Sequence, residues 1–417
     1  MPSEWSWLTL AEAGVTLHDC LHKTPPDAGS GYPYIAIPQM KAGRLETAGA
    51  RLITHEHFLE WTAKAKPKAH DVVLSRRCNP GETAVVPSGL ECALGQNLVL
   101  LRANGEGVYP PFLRWLVKGP GWWEQVQRYL NVGAVFDSLR CRDVPKFQLP
   151  VPPIDEQRRI AAVLGALDDK IELNRQMNRT LEEMAQAIFK SWFVDFDGHD
   201  DLVDSELGPI PRGWRIVRLG ELKWVSGGTP RKSRMEYWGG TIPWMSAKSL
   251  KGLFARDSED RVTPLGARNG ARLVPQDSVL FVVRGMSLAS EFRCGIATRE
   301  VTFNQDLKAI IPTGQVHPHL LLLFLRSLHE EMLRLADEAS HGTKRLQTNV
   351  LQGLGLPLPS YAQQGELARP LSSLVERQQN NEEENNTLSQ LRDTLLPKLI
   401  SGEIRVPEAE KAVEAAT

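Results

Sequence analysis

The longest regular pattern of apolar positions in this chain runs from Ile154 to Phe193 and predicts one long helix. Apolar and amide side chains recur there at alternating steps of four and three residues: Ile160, Leu164, Leu167, Ile171, Asn174, Asn178, Leu181, Ala185, Ile188 and Trp192. A mean step of about 3.5 residues is typical of a coiled-coil seam, whereas a helix on a globular core shows a broader stripe. At about 1.5 Å per residue the helix would be roughly 60 Å long, so it needs a partner helix along its seam.

A second stretch with the same pattern supplies that partner. LPVPPIDEQRRI begins at Leu149 and LPLPSYAQQGEL begins at Leu356, and 356 − 149 = 207. The same offset pairs Gln157 with Gln364, Ile160 with Leu367, Leu164 with Leu371, Leu167 with Leu374, Asn174 with Asn381, Asn178 with Asn385, Leu181 with Leu388 and Ile188 with Leu395. Asparagine in a seam lowers stability but fixes register, because its amide requires a partner at one level. Since two unrelated helices would rarely share that feature, the chain is predicted to be a tandem repeat of a globular segment followed by a long helix.

This repeat divides the chain into five segments and predicts an α+β fold. The boundaries are residues 1–148 for a first globular domain, 149–200 for the central helix, 201–355 for a second globular domain, 356–407 for the C-terminal helix and 408–417 for a disordered tail. Short β-like runs alternate with glycine-rich turns in both globular segments, and the tail is rich in Ala and Glu. The predicted architecture is two similar globular domains joined by two long helices that pair as an antiparallel coiled coil, in a pseudo-two-fold tandem repeat.

The second helix is expected from about Gln363 to Ser401, and two prolines fall within that range. Pro370 falls within its first turns and is expected to kink the helix or delay its start, because proline lacks the backbone N–H that a helix interior uses. Pro397 and Gly402 are expected to end it.

Composition and charge restrict the classes of function. The formal net charge is −1 at pH 7, with a pI of about 6.8. A stand-alone nucleic-acid-binding domain is usually basic, so any DNA contact must come from local patches or be shared with a more basic partner. The five cysteines show no CxxC spacing and are typical of a reducing compartment. Without a signal peptide or an apolar run long enough to cross a bilayer, the protein is expected to be soluble and cytoplasmic, with no membrane partner.

The sequence offers no convincing active site, so no catalytic residue and no metal ligand is predicted. It lacks a GxxxxGK[ST] phosphate loop, a GxSxG elbow, and the glycine-rich loop with an Asn/Asp-Pro-Pro-aromatic motif of DNA methyltransferases. His55 and His57 lack the spacing of the HExxH zinc motif. Asp306 and Lys308 form a DxK fragment without a clear first acidic partner. A Mg²⁺-dependent nuclease built on those two residues stays open as an alternative, and so does a protein–protein adaptor without a DNA role.

Basic and polar loops occur in both halves and favour DNA contact. They are Arg231, Lys232 and Arg234 in SGGTPRKSRMEYWGG, Lys344 and Arg345 in HGTKRLQTN, Lys64, Lys66 and Lys68 in KAKPK, and the pair Arg76 and Arg77. Arg and Lys neutralise phosphates, while hydroxyl and amide side chains bond phosphates or base edges. Each cluster taken alone is equally consistent with a solvated surface loop. If two such domains read DNA, each reads one half-site and the helix pair fixes the gap between them.

Four motifs resemble the DNA-specificity subunit of Type I restriction–modification systems. They are SGGTPRKSRMEYWGGTIPWMSAKSL, LGPIPRGW, the helix exit FKSWFVDFDG and the helix entry LPxPxxxxQ. The resemblance covers nearly the whole chain, and it implies that each globular segment is a target-recognition domain that reads one part of a split double-stranded DNA sequence. It also implies that the helices form a spacer and dock two DNA methyltransferase (modification) subunits, which restriction/translocase subunits join. The chain itself would then not be an enzyme and would hold no cofactor, because the methyl donor, ATP and Mg²⁺ belong to the partners.

The resemblance also suggests which residues contact DNA. In the second domain they are Thr229, Pro230, Arg231, Lys232, Ser233, Arg234, Trp244, Ser246, Lys248, Gln305, Asp306, Thr343, Lys344 and Arg345. The first domain departs from this loop pattern, and its expected contacts are Tyr34, Lys64, Lys66, Arg76, Arg77, Gln96 and Asn97. Asn174, Asn178, Asn381 and Asn385 are expected to set the register of the coiled coil.

Overall fold

The computed structural model describes residues 4–133, 136–339 and 342–415, and the chain divides within both long helices. Unit 1 comprises Met1–Leu173 and Glu384–Thr417, and unit 2 comprises Asn174–Glu383. Each unit therefore contains one globular domain and one half of each long helix.

Before the central helix, the described residues of unit 1 form a six-stranded sheet, two smaller sheets and three short helices. Its strands are β1 (Ser6–Thr9), β2 (Val15–Asp19), β3 (Tyr32–Ile35), β4 (Met40–Lys41), β5 (Arg44–Leu45), β6 (Arg51–Ile53), β7 (Val72–Ser75), β8 (Thr83–Val85), β9 (Ala93–Leu94), β10 (Leu98–Ala103) and β11 (Gln148–Val151). The short helices are α1 (His55–Thr62), α2 (Pro110–Leu116) and α3 (Pro120–Tyr129). The strand orders are β2-β10-β7-β8-β5-β4, β6-β3-β9 and β1-β11. The central strands β7 and β10 carry continuous apolar runs because both of their faces are buried.

The central helix, α4, runs over Ile154–Phe193 as 40 residues, as its heptad pattern predicts. Pro152 and Pro153 precede it, and Asp155 and Glu156 place negative charge at the positive end of the helix dipole.

Unit 2 repeats this plan with more strands. They are β12 (Leu202–Val203), β13 (Ile210–Pro211), β14 (Arg215–Arg218), β15 (Lys223–Ser226), β16 (Trp238–Met245), β17 (Phe254–Ala255), β18 (Arg261–Val262), β19 (Leu273–Val274), β20 (Val279–Val282), β21 (Arg284–Gly285), β22 (Cys294–Ala297), β23 (Val301–Phe303), β24 (Leu307–Ile311), β25 (Asp337–Glu338), β26 (Lys344–Arg345) and β27 (Gly355–Leu358). The helices are α5 (Pro264–Arg268), α6 (Pro318–Ser327), α7 (His329–Leu335) and α8 (Thr348–Gly353). The sheets are β15-β24-β20-β22-β17, β18-β16-β23-β19, β21-β26-β25, β14-β27 and β12-β13.

Strand register confirms the tandem repeat. Equivalent pairs in units 1 and 2 are Trp7↔Pro150 and Ile216↔Pro357, Leu98↔Ser75 and Leu307↔Val282, Asp19↔Val99 and Ser226↔Lys308, and the parallel pairs Tyr34↔Ala93 and Trp244↔Thr302. The two globular segments therefore share strand pairing as well as sequence pattern.

The second long helix, α9, spans Tyr361–Ser401, and α10 follows it over Val406–Glu414. The expectation that Pro397 helps to end α9 was wrong, and Pro370 likewise lies inside a continuous helix. The helix ends before Gly402, whose φ of 72° is the left-handed conformation common just after a helix. Packing along an apolar seam contributes more to a helix than local propensity, which is why neither proline ends it.

The two long helices pair antiparallel in each unit, as predicted. In unit 1, Asp168 contacts Arg392 at 2.6 Å and Lys170 contacts Glu384 at 3.2 Å, so residue numbers rise on α4 as they fall on α9. In unit 2 the seam includes amide side chains. Asn381 Nδ2 donates to Asn178 Oδ1 at 2.8 Å, and Asn178 Nδ2 donates to the Gln378 carbonyl at 3.2 Å. Asn174 is fully buried on the same seam, and Asn385 is half-buried in unit 1.

The C-terminal part of α4 departs from the predicted seam. Phe189 and Phe193 are buried there, at 0% and 1% exposure, and their rings stack at 5.1 Å, while the predicted seam residues Ile188 and Trp192 are only partly buried. Phe193 also contacts the ring of Trp214 at 5.6 Å. The buried stripe widens because this half of α4 packs on the globular core of unit 2 as well as on α9.

The disorder predicted for residues 408–417 was wrong for 408–415, because α10 extends to Glu414, and residues 416–417 lie outside the described residues. Val406 is 2% exposed and Ala409 is 0% exposed, and both join the core of unit 1. Arg405 Nη1 donates to Glu156 Oε1 at 2.6 Å just before the helix begins. The Ala- and Glu-rich composition therefore conceals a short apolar stripe on a helix rather than indicating disorder.

A buried glutamine at each helix entry explains the LPxPxxxxQ motif. Gln157 Nε2 donates to the Gly107 and Pro152 carbonyls at 2.9 and 2.8 Å, and its Oε1 accepts from the Tyr109 N–H at 2.8 Å. Gln364 makes the equivalent three bonds in unit 2, to Gln315, Pro359 and His317, at 3.0, 3.2 and 3.0 Å. One amide thus joins the start of each long helix to the loop before α2 or α6.

Replacing Gln364 by Leu is expected to lower the free energy of unfolding by about 2–4 kcal/mol, because it leaves buried backbone groups without partners. Urea unfolding of the full chain measures this change. Gln363→Leu is the matched control, because Gln363 is exposed and its side chain accepts from the neighbouring Ser360. Equal losses in both variants would contradict a special role for the buried amide.

Candidate nucleic-acid interface

In unit 2 the loop after β15 lies against the turn between β23 and β24. The Gly228 N–H donates to the Phe303 carbonyl at 2.9 Å. A side chain at Gly227 would place its Cβ 1.8 Å from the Asn304 carbonyl oxygen, so only glycine permits this approach. The glycines of SGGTPRKS therefore hold the basic loop against the sheet.

Polar contacts link Thr229 to Gln305 and Lys308 to Ser226, and the exposed Arg231, Lys232 and Arg234 follow Thr229 along the chain. Thr229 Oγ1 donates to Gln305 Oε1 at 2.6 Å, and Lys308 Nζ donates to Ser226 Oγ at 3.0 Å. Gln305 is exposed at the tip of the turn. We call the group Ser226, Thr229, Arg231, Lys232, Arg234, Arg284, Gln305, Asp306, Lys308, Lys344 and Arg345 the unit 2 face.

Two cations of the unit 2 face, Arg284 and Lys308, were not among the DNA contacts predicted from the sequence. Arg284 pairs with Arg345 between β21 and β26, and Arg284 Nε donates to Asp306 Oδ1 at 3.1 Å. Lys308 lies close enough to Arg345 that burial, together with this charge, lowers the pKa of the lysine. Arg284 could have been found from the repeat, because it corresponds to Arg77 at the same offset (284 − 77 = 207).

Some of the predicted DNA contacts are buried and pack beneath the loop that carries the exposed basic residues. Trp244 is 8% exposed, donates its indole N–H to the Gly228 carbonyl at 3.0 Å and packs edge-on against Trp238. Pro230 is also buried. In this structure neither side chain is open to a ligand in solution, whereas Arg231, Lys232, Ser233 and Arg234 are exposed.

The predicted contacts Ser246 and Lys248 lie beside an acidic segment. Lys248 Nζ contacts Glu259 Oε2 at 2.7 Å, and this hydrogen bond raises the pKa of Lys248 and lowers the pKa of Glu259. The Ser246 backbone N–H donates to Ser249 Oγ at 2.8 Å. A phosphate contact by Lys248 would therefore have to replace an existing ion pair. Thr343 lies in the turn beside Lys344, where its carbonyl accepts from the Ala339 N–H at 2.8 Å.

Unit 1 has a comparable arrangement, and it includes two residues that the sequence did not suggest. His22 Nδ1 lies 3.1 Å from the Gln96 carbonyl and 3.3 Å from Arg76 Nη2, and His22 Nε2 lies 3.0 Å from Asp19 Oδ2. The Arg76 N–H donates to the Asn97 carbonyl at 3.0 Å. Asp19, His22, Arg76, Gln96 and Asn97, with the neighbouring exposed Arg77, are called the unit 1 face.

The remaining DNA contacts predicted for unit 1 do not belong to the unit 1 face. Tyr34 is 4% exposed and donates its hydroxyl to the Lys23 carbonyl at 3.2 Å, so its ring is part of the core. Lys66 contacts Glu91 at 2.5 Å and lies over the Phe58 ring at 5.2 Å. Lys64 is exposed in the loop that follows α1.

The alternative nuclease residues take part in the contacts of the unit 2 face. Asp306 accepts from Arg284 and, at 3.2 Å, from Asn304 Nδ2, while Lys308 bonds to Ser226. Within residues 4–133, 136–339 and 342–415, no group of three or more His, Cys, Asp and Glu side chains is placed to hold a metal ion. No helix in the described part of the chain is long and apolar enough to span a membrane.

Comparisons with known proteins agree on one family. The family model described as the Type I restriction modification DNA specificity domain matches residues 18–183 and 211–390, well over half of the chain. The chain is 27% identical over 396 residues to the Type I restriction enzyme MjaIX specificity subunit of Methanocaldococcus jannaschii, covering 92% of this chain and 87% of the relative. It is 25% identical over 424 residues to the HindI specificity subunit of Haemophilus influenzae, covering 84% of this chain and 90% of the relative. A solved Type I restriction-modification S subunit from M. genitalium has a similar fold, with a TM-score of 0.56 at 17% identity over 95% of this chain and 96% of that one.

Proposed function

This chain belongs to the family of Type I restriction–modification DNA-specificity proteins, and from that premise we propose that it is the non-catalytic, sequence-specific DNA-binding subunit of such a system. Each globular domain reads one part of a split double-stranded site, and the long helices set the number of unread base pairs. The observation that carries the proposal is the recurrence of an exposed glutamine, Gln96 at the turn before β10 and Gln305 at the turn before β24, each contacted by the loop after an equivalent strand.

The partners follow from the same premise. The chain acts in the cytoplasm with two DNA methyltransferase subunits and with restriction/translocase subunits. Those partners hold the methyl donor, ATP and Mg²⁺, and this chain supplies neither catalytic residues nor cofactor ligands. A formal net charge of −1 supports this division of labour, because a near-neutral protein gains DNA affinity when it shares the site with more basic subunits.

A footprint of the assembled complex tests the proposal. We expect two short base-specific elements separated by a fixed number of base pairs at which any sequence is accepted. Methylation mapping on a randomised library gives the same information independently. A complex that binds or methylates without a split-site preference would contradict the proposal and would favour an adaptor without a DNA role.

The length of the helices is expected to determine the gap. Inserting four residues after Leu173 and four after Glu383 lengthens both helices by about 6 Å. The preferred gap should then grow by about two base pairs, at roughly 3.4 Å each. The control inserts four residues after Asp204, in the exposed loop between β12 and β13, and should leave the gap unchanged. A constant gap in both variants would show that the helices do not set the spacing.

A further inference from the structure

Gln96 and Gln305 occupy the same backbone position in the two units. The residue before each glutamine donates its N–H to the end of a parallel neighbouring strand, Gly95 to the Ile35 carbonyl at 2.7 Å and Asn304 to the Met245 carbonyl at 2.9 Å. Two residues after each glutamine the chain turns back and begins the central strand β10 or β24. The equivalence therefore rests on hydrogen bonding as well as on strand register, in which Leu98↔Ser75 matches Leu307↔Val282.

Each glutamine is exposed, and each is contacted by the loop that follows an equivalent strand. Asp19 and Ser226 are the equivalent last residues of β2 and β15, so the third residue beyond each strand is His22 in unit 1 and Thr229 in unit 2. His22 lies 3.1 Å from the carbonyl of Gln96, and Thr229 donates to the side-chain oxygen of Gln305. The exposed amide is thus the common element, and the loop that contacts it differs.

A carboxamide is the side chain best suited to read adenine in the major groove, because its N–H donates to N7 while its oxygen accepts from the N6 amino group. The bond from Thr229 uses one lone pair of Gln305 Oε1 and leaves the second lone pair and both Nε2 hydrogens available. The same bond fixes which way the amide is turned. Gln305 is therefore restrained by Thr229 before DNA arrives.

We propose that Gln96 and Gln305 are equivalent base-reading residues, and that each recognises one adenine in its own part of the split site. This inference rests on the proposed function and specifies the base class that each face reads. Thr229 is a positioning residue that orients Gln305. In unit 1 the contact from His22 reaches the backbone of Gln96, so the amide of Gln96 is oriented only when it meets the base.

DNA in which single adenines are replaced by 7-deazaadenine tests the proposal, because that base lacks only the N7 acceptor. With the assembled complex, wild-type binding should weaken at one adenine in each part of the site. Gln305→Ala should weaken binding of the normal site about 10- to 100-fold and should remove the 7-deaza effect at one position only. Gln96→Ala should remove it at the corresponding position in the other part.

Three further variants separate reading from folding. Thr229→Val should reduce the discrimination at the Gln305 position, and Thr229→Ser, which keeps the hydroxyl, should restore it. Gln276→Ala should change nothing, because this exposed glutamine precedes β20, whereas Arg284 of the unit 2 face follows that strand.

The two possible failures are distinguishable. If Gln305→Ala and Gln96→Ala keep the wild-type response to 7-deazaadenine at every adenine of a split site, this inference is overturned and the proposed function stands. If the wild-type complex shows no split-site preference, the proposed function falls and this inference falls with it.

Discussion

Replacing Asp168 by Val is expected to lower the free energy of unfolding by about 3–5 kcal/mol, because it removes the carboxylate that several partly buried arginines share. The side chain of Asp168 is 3% exposed on α4 in unit 1. Arg114 and Arg392 both donate to it, the latter at 2.6 Å, and Arg44 donates to its backbone carbonyl at 2.9 Å. Urea unfolding of the full chain, followed by tryptophan fluorescence, measures the loss.

The charges around Asp168 explain the size of this effect. Burial raises the pKa of the Asp168 carboxyl, but Arg114 and Arg392 outweigh burial and hold that pKa below its ordinary value. Burial, together with the charge of Arg114, lowers the pKa of the neighbouring Lys118 to about 8. Without the carboxylate these cations would repel one another in a region where water screens poorly.

The second repeat shows which residues can replace Asp168 and its partners. At the common offset Asp168 corresponds to Val375 (375 − 168 = 207) and Arg392 corresponds to Ala185 (392 − 185 = 207). Both unit 2 residues are buried, at 1% and 0% exposure. Unit 2 therefore packs apolar side chains where unit 1 has an ion pair.

Arg114 also has an apolar counterpart. When α2 and α6 are aligned from their first prolines, Arg114 corresponds to Leu322 (322 − 114 = 208), which is 0% exposed. The triple variant Asp168→Val, Arg114→Leu, Arg392→Ala is expected to recover most of the lost stability, because apolar packing can replace a buried ion group at little cost. A triple variant no more stable than Asp168→Val alone would show that repulsion between unpaired cations is not the cause.

Replacing Arg231 and Lys344 together by Ala is expected to weaken DNA binding by the assembled complex about 30-fold at 0.15 M salt. Each lost phosphate contact should lower the slope of log K against log salt by about 0.9, so the slope should fall by roughly 1.8. Both side chains belong to the unit 2 face, on separate segments of the chain. Titrations at several salt concentrations measure affinity and slope together.

Lys223 and Arg299 provide the control for that pair. Lys223 begins β15, whose last residue Ser226 bonds to Lys308, and Arg299 precedes β23, whose far end leads to the turn at Gln305. Both are exposed. Replacing both by Ala removes the same amount of charge, but from the ends of β15 and β23 that lie away from the unit 2 face. An equal loss of slope in the two double variants would indicate a general charge effect rather than a contact surface.

Much of the fold follows from the sequence because its strongest signal is local. The heptad steps of α4 and α9 need no knowledge of distant residues, and the repeat offset supplies the pairing. The burial of Phe189 and Phe193 could not be read from α4 alone, since it depends on the core of unit 2. The helix α10 was missed because alanine and glutamate favour both disorder and helix, and burial of Ala409 decides between them.

The candidate site also has parts that the sequence predicts and parts that depend on distant residues. The loop from Thr229 to Arg234 is contiguous, so composition suggested its three basic residues as a cluster, and the family resemblance added Thr229, Pro230 and Ser233. Arg284 joins the unit 2 face through its bond to Asp306 and through the pairing of β21 with β26, between residues 61 positions apart (345 − 284 = 61). The burial of Trp244 could not be inferred either, because aromatic residues serve equally as contacts and as core.

The division of unit 1 between two distant parts of the chain has a consequence during translation. Unit 2 is continuous, so it can complete its fold as soon as residue 383 has left the ribosome. Unit 1 has to wait, because residues 384–417 supply the second helix and α10. At about 5–20 residues per second, the half of α4 in unit 1 stays without its α9 partner for roughly ten seconds or more, and a chaperone that shields its exposed apolar side would act in that interval.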